Sequence, residues 1–244
     1  MHIVGPDGKP FPYGKIHRSL VADFNDGALP SWLEVATKLA ADASEVVGSG
    51  ASFSAFPAVP SLTVTSPRTT NSYADLRTKL KFNPLNYTAI KFTLEGLRFA
   101  GNTWQQVSIG IKNPESTAGI TLLQTNTSGA SALIKTYRSS GNGGNVDKPV
   151  KMSIHTIGLA GDEGQNSKNL SVLLLTGKQY PLAQQRQFVL LMNDDQVGAY
   201  EEITGLLTPG DYICSARLTT LGLPAEQSER FIRVSKLKVD LWSN

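Results

Sequence analysis

The stretch from residue 73 to residue 82 constrains the fold more than any other. Ala74, Leu76, Thr78, Leu80 and Phe82 fall on one side of a period-two pattern, and Tyr73, Asp75, Arg77, Lys79 and Lys81 fall on the other. Successive side chains of a strand point to opposite faces, so this stretch reads as a strand with one apolar and one wet face. Ile90, Phe92 and Leu94 alternate with Lys91, Thr93 and Glu95 in the same way. Asn83-Pro84-Leu85-Asn86-Tyr87 lies between the two runs and carries a turn signal, so the two are expected to form a hairpin.

The same period continues along the chain. Val107, Ile109 and Ile111 alternate with polar residues, Ile120 and Leu122 open a further run, Ala132 and Ile134 the next, and Val150, Met152 and Ile154 another. Residues 170–175 and 188–192 are apolar on both sides, which predicts central strands covered on both faces. Residues 212–218 and 231–241 close the chain. The last run changes phase: Ile232 and Val234 are even, Leu237, Val239 and Leu241 odd, so a bulge is expected near Ser235. Residues 139–145 and 161–166 are rich in Gly, Asn and Ser or Asp and read as exposed loops.

Two segments are less one-sided. Ser31 and Glu34 fit a capping box before the Ala-rich residues 34–47, yet residues 31–47 fit a strand pair as well. Pro181 opens a stretch to Gln187 that suits a short helix. Many short strands with few helices predict an all-β chain, an antiparallel β-sandwich of the jelly-roll kind. Residues 1–18, with Gly5, Gly8, Gly14, Pro6, Pro10 and Pro12, read as an extended N-terminal arm, and residues 19–244 as one sandwich without internal repeat or linker.

Composition removes several function classes. Lys and Arg number 23 against 20 Asp and Glu, a net charge of +3 at pH 7, and no basic cluster reaches five residues. Arg77, Lys79 and Lys81 alternate on one strand and read as a solvated face, so no nucleic-acid partner is expected. No run of apolar residues is long enough to cross a membrane, and no leader-type apolar segment opens the sequence, so cytoplasmic synthesis is expected. The single cysteine, Cys214, sits in a strand-like run and reads as a buried thiol.

Local catalytic signatures are missing. The three histidines, His2, His17 and His155, have no nucleophile elbow to serve. No paired cysteines or His-Glu-x-x-His exist, so no metal site and no cofactor are expected. Asp162 with Glu163 and Asp194 with Asp195 are the local candidates for a structural calcium, and both read first as solvated acidic turns. Gly141-Asn142-Gly143-Gly144 lacks the Lys and helix of a phosphate loop. Glu201 and Glu202 are adjacent and point to opposite faces of a strand, and Glu226 and Glu229 flank a loop. Sugar binding without catalysis needs exposed aromatics beside amides and carboxyls. Trp104 before Gln105 and Gln106, Tyr137 before the long loop and Tyr73 on its polar strand face are the candidate ligand-binding residues.

Two phrases carry a family resemblance. Val21-Ala22-Asp23-Phe24-Asn25-Asp26-Gly27-Ala28-Leu29-Pro30-Ser31-Trp32 resembles the first strand and turn of concanavalin A-like lectin and glucanase jelly rolls. Phe231-Ile232-Arg233-Val234-Ser235-Lys236-Leu237-Lys238-Val239-Asp240-Leu241-Trp242 resembles their last strand. The combination with a Gly/Pro-rich arm is similar to minor tail proteins of tailed bacteriophages, especially of actinobacterial hosts. The resemblance implies a virion component at the tail tip, assembled in the host cytoplasm, contacting other tail proteins and further copies of itself. It also implies contact with host-surface polysaccharide, and the missing catalytic signatures make enzymatic activity unexpected. Jelly-roll glucanases carry Glu-x-Asp-x-x-Glu on one strand, and this sequence has no such run. The alternatives are a glycoside hydrolase or lyase of the jelly-roll class, a capsid decoration protein, and a lectin unrelated to phage.

Overall fold

The computed structural model describes residues 15–40, 42–55, 59–67, 69–100, 105–114, 119–125, 132–137, 146–149, 168–178, 180–193, 196–205, 207, 209–220 and 231–243. They form two antiparallel sheets. The larger contains β1 (Lys15–Asp23), β4 (Ala51–Ala55), β5 (Pro60–Thr65), β7 (Ala89–Ala100), β12 (Lys168–Leu175), β13 (Phe188–Asn193), β14 (Gln196–Glu202), β16 (Phe231–Val234) and β17 (Lys236–Ser243). The smaller runs in the order β11 (Val146–Pro149), β10 (Ala132–Tyr137), β9 (Gly119–Thr125), β8 (Gln105–Lys112), β15 (Ile213–Thr220), β6 (Tyr73–Thr78), β2 (Leu33–Lys38), β3 (Glu45–Val47).

The alternation chooses the faces. Ala74 and Leu76 of β6, Ile109 and Ile111 of β8 and Cys214, Ala216 and Leu218 of β15 meet Ile90, Phe92 and Leu94 of β7, Val172 and Leu174 of β12 and Val239 and Leu241 of β17 in one core. Burying each large apolar side chain is worth about 1.5–3 kcal/mol, so the apolar face of every strand turns inward. Leu173 and Leu175 of β12, Leu190 and Met192 of β13 and Ala89 of β7 form a second apolar cluster, with Tyr180, Phe188 and Trp242 packed against it. This accounts for the runs at 170–175 and 188–192 that are apolar on both sides: each of these strands touches both clusters and lies inside the nine-stranded sheet.

The expected hairpin between residues 73–82 and 90–95 does not form. β6 pairs with β15 and β2, whereas β7 pairs with β12, β16 and β17 in the opposite sheet. The intervening turn, with a 3-10 segment at Pro84–Asn86, carries the chain from one sheet to the other. Alternation reports which face of a strand is apolar and not which strand lies beside it, and two strands facing one core show the same pattern whether paired or opposed.

Residues 31–47 resolve as the strand pair β2 and β3. Pro181 precedes a single 3-10 turn, Leu182–Gln184. The phase change at Ser235 divides β16 from β17. Both lie along β7, and Ser235 N and Oγ both donate to Glu95 O. β1 pairs along β17 from Lys15 opposite Ser243 to Asp23 opposite Lys236, so the first and last described strands lie side by side.

Candidate functional site

On the eight-stranded sheet, the polar face of β6 turns away from the core. Asp75 lies opposite Ala36 of β2 and Arg217 of β15, and Arg77 lies opposite Glu34 and Ser215. Cross-strand partners share a face, so two charged triads assemble here. In the first, Asp75 is fully buried. Its Oδ2 accepts from Arg217 Nε at 3.0 Å, Arg217 Nη2 at 2.6 Å and Lys112 Nζ at 3.0 Å, while Ser215 Oγ donates to Oδ1. In the second, Arg77 donates from Nε to Glu34 Oε1 at 2.6 Å, and from Nη2 and Nη1 to the two oxygens of Glu45 at 2.6 and 3.0 Å. Arg77 thus ties β6 to both β2 and β3, and Ala36 of β2, opposite Asp75, is small and fully buried.

Tyr73 joins the triads. Its hydroxyl donates to Glu45 Oε2 at 2.6 Å, and the Arg217 guanidinium lies 4.0 Å from its ring centroid. Such stacking of a planar cation holds both groups in place.

Burial by itself would push the Asp75 carboxyl up. The Lys112 and Arg217 charges, with the bonds from Ser215 and Arg217, outweigh it and hold the group well below the usual carboxylate range. Burial acts against Glu45 likewise, and the bonds from Arg77 and Tyr73 overcome it, so that carboxyl is also lowered. The Tyr73 phenol is pushed up to about 12 by burial and by its bond to Glu45. Lys112 is pushed down, burial exceeding the pull of Asp75. Arg77 is raised, the bonds to Glu45 and Glu34 exceeding the cost of burial.

Arg77 is therefore tied between two carboxylates, which corrects the expectation of a solvated basic face; Lys79 and Lys81 are exposed. Of the three expected ligand-binding residues, Tyr73 lies at this site. Tyr137 ends β10 on the same sheet, its Cα opposite Gly119, which in turn lies opposite Lys112. Trp104 lies outside the described residues.

The same holds for His2, His155, the acidic pairs Asp162–Glu163 and Asp194–Asp195, the strand expected at 150–154 and the loops at 139–145 and 161–166. His17 is exposed. Cys214 is sealed in the core, and burial pushes its thiol up, away from the reactive thiolate. Among the described residues no group of three or more His, Cys, Asp or Glu is arranged to hold a metal ion.

Sequence reasoning missed Asp75, Lys112, Arg217, Ser215, Glu34 and Glu45 as members of one site. They are spread over β2, β3, β6, β8 and β15. The local signals were Tyr73-x-Asp75-x-Arg77 on one face of β6 and Ser215-x-Arg217 on one face of β15.

No protein-family model matches this sequence, and no curated protein matches it significantly. Solved structures do match, across nearly the whole chain. The carbohydrate recognition domain of Emp47p superposes with a TM-score of 0.57 at 14% identity, covering 92% of this chain and 95% of its own. The β-glucanase of Bacillus licheniformis gives 0.57 at 12% identity, covering 94% and 100%. The fold is the concanavalin A-like jelly roll. An alginate lyase of polysaccharide lyase family 7 shares it, with a TM-score of 0.53 at 10% identity over 88% of this chain and 96% of the lyase.

These findings correct the expectation of a protein without enzymatic activity. That expectation rested on the missing local motifs. The jelly roll supports glycan-cleaving enzymes as readily as lectins, and side chains from β2, β3, β6, β8 and β15 converge here without a motif on any one strand. The names of these similar proteins concern carbohydrates and say nothing of phage tails.

Proposed function

We propose that this protein binds a polysaccharide along the outer face of the eight-stranded sheet and acts in the glycoside hydrolase and lyase class of jelly rolls. The observation that carries the reading is the two-triad network with Tyr73 stacked at its centre. Sugar recognition needs donors and acceptors held at fixed positions beside an aromatic face. Here Glu34 and Glu45, fixed by Arg77, and Lys112 and Arg217, fixed by Asp75, are partly exposed.

Cleavage is favoured over binding alone by one detail. Glu34 and Glu45 flank a single guanidinium, and glycosidases work with two carboxyls a short distance apart on one face. The lowered Glu45 carboxylate stays ionised and suits a nucleophile. The Tyr73 hydroxyl, which keeps its proton to about 12, holds Glu45 in place as a hydrogen-bond donor and is too weak an acid to protonate a leaving group.

The test is affinity electrophoresis against a panel of neutral and acidic polysaccharides, with reducing-end release and the ultraviolet absorbance of unsaturated ends as cleavage readouts. At least one polysaccharide is expected to retard the protein. Tyr73→Ala is expected to weaken that binding about three- to tenfold while circular dichroism stays unchanged. Absence of binding across the panel overturns the reading. Action on host-surface glycan at a phage tail tip is the form of this proposal that joins it to the sequence resemblance. Gold-labelled antibody on purified particles tests it separately, and unlabelled tails overturn that part alone.

A further inference from the structure

We infer that the glycan taken by this face is acidic, with its carboxylate seated on Lys112 and Arg217. The inference rests on the polysaccharide-binding reading above. A buried carboxylate is satisfied by one cation and a few hydrogen bonds. Asp75 has these already: both Arg217 contacts fall on Oδ2, and Ser215 serves Oδ1. Lys112 is a second cation on the same carboxylate, at 3.0 Å.

The triad thus carries two positive charges against one negative. A half-buried surplus charge is costly unless an opposite charge meets it. Among the described residues Arg217 Nη1 has no acceptor, and Lys112 Nζ uses only one of its three hydrogens. These donors belong to side chains that keep some exposure, 29% for Arg217 and 18% for Lys112, while Asp75 is sealed beneath them. A ligand approaching this part of the sheet meets cations and not the carboxylate.

The neighbouring triad has the opposite excess, with two carboxylates on Arg77. Lys38 of β2 shares this face, its Cα opposite both Glu45 and Tyr73, so the cations at β8 and β15 stand against an end of mixed charge at β2 and β3. A neutral glycan has no charge to match this arrangement. A uronic acid chain has a carboxylate for the positive end and hydroxyls that donate to Glu34 and Glu45 at the other. The register leaves room beside the cations, since Ser108 lies opposite Arg217, Gly110 opposite Ser215 and Gly119 opposite Lys112.

Isothermal titration of the whole protein with alginate or polygalacturonate oligomers, against laminarin and mixed-linkage β-glucan oligomers, tests the inference. The acidic oligomers are expected to bind at least about tenfold more tightly, and their affinity is expected to fall with added salt. Lys112→Gln is expected to weaken binding of the acidic oligomers about tenfold more than that of the neutral ones, removing most of the preference, and Lys112→Arg to restore it. Equal or tighter binding of neutral oligomers, or a preference that survives Lys112→Gln in a folded protein, overturns the acidic-ligand inference and leaves the binding reading standing. If no oligomer binds, both fail.

Discussion

Asp75 shows how much one side chain can decide. It is fully buried, and its partners come from β8 and β15, more than thirty and more than a hundred positions away. Because its carboxyl is held below the range of an unfolded chain, it stabilises the protein fully above about pH 4 and loses that contribution as pH falls toward the folded value. Asp75→Asn is expected to cost about 3–5 kcal/mol at neutral pH, because Arg217 and Lys112 are left without their anion. The same substitution should flatten the acid limb of a plot of melting temperature against pH. An unchanged melting temperature at neutral pH would sink the idea that the triad stabilises the fold. None of this was legible from β6 alone. Sequence assigns Asp75 correctly to the non-core face and then treats that face as solvent, because the counter-charges sit on strands whose neighbours cannot be read locally.

At the level of elements, periodicity succeeded where the question was which face, and failed where it was which neighbour. The phase change at Ser235 was readable because it lies within one continuous run. β6 and β7 were mispaired because a turn that crosses between sheets and a turn that closes a hairpin use the same residues. Residues 31–47 fit both readings because Ala-rich sequence suits a strand wherever small side chains are needed, as at Ala36, fully buried opposite Asp75. The break at Ser235 also has a partner that sequence did not mark. Gly96 of β7 has φ +61, and a Cβ there would collide with Ser235 Oγ. Gly96→Ala is expected to cost about 2 kcal/mol or more in urea unfolding, from the left-handed backbone plus the clash. Adding Ser235→Gly should recover the clash and leave the backbone cost, so the two substitutions will not add. Strict additivity would mean that the two residues do not meet.

Over the whole molecule, the nine-stranded sheet is completed by its most distant parts. β1 lies along β17, and Ser19 Oγ donates to Asp240 Oδ1 at 2.6 Å across 221 positions of sequence. Asp240 is buried and also takes Lys238 Nζ at 3.0 Å, so the Ser19 bond satisfies part of a sealed carboxylate. Closing so long a loop is entropically costly, and β7, β12 and β13 can form their share of both apolar clusters without it. The pairing of the first and last described strands should therefore form after the folding barrier is crossed. Ser19→Ala should cost about 1 kcal/mol, and the loss should appear as about fivefold faster unfolding with refolding unchanged in stopped-flow chevrons. Slower refolding by the same factor would instead put β1 and β17 together in the transition state. The sheet carrying the charged network would then have to assemble against a sandwich whose opposite layer was already complete.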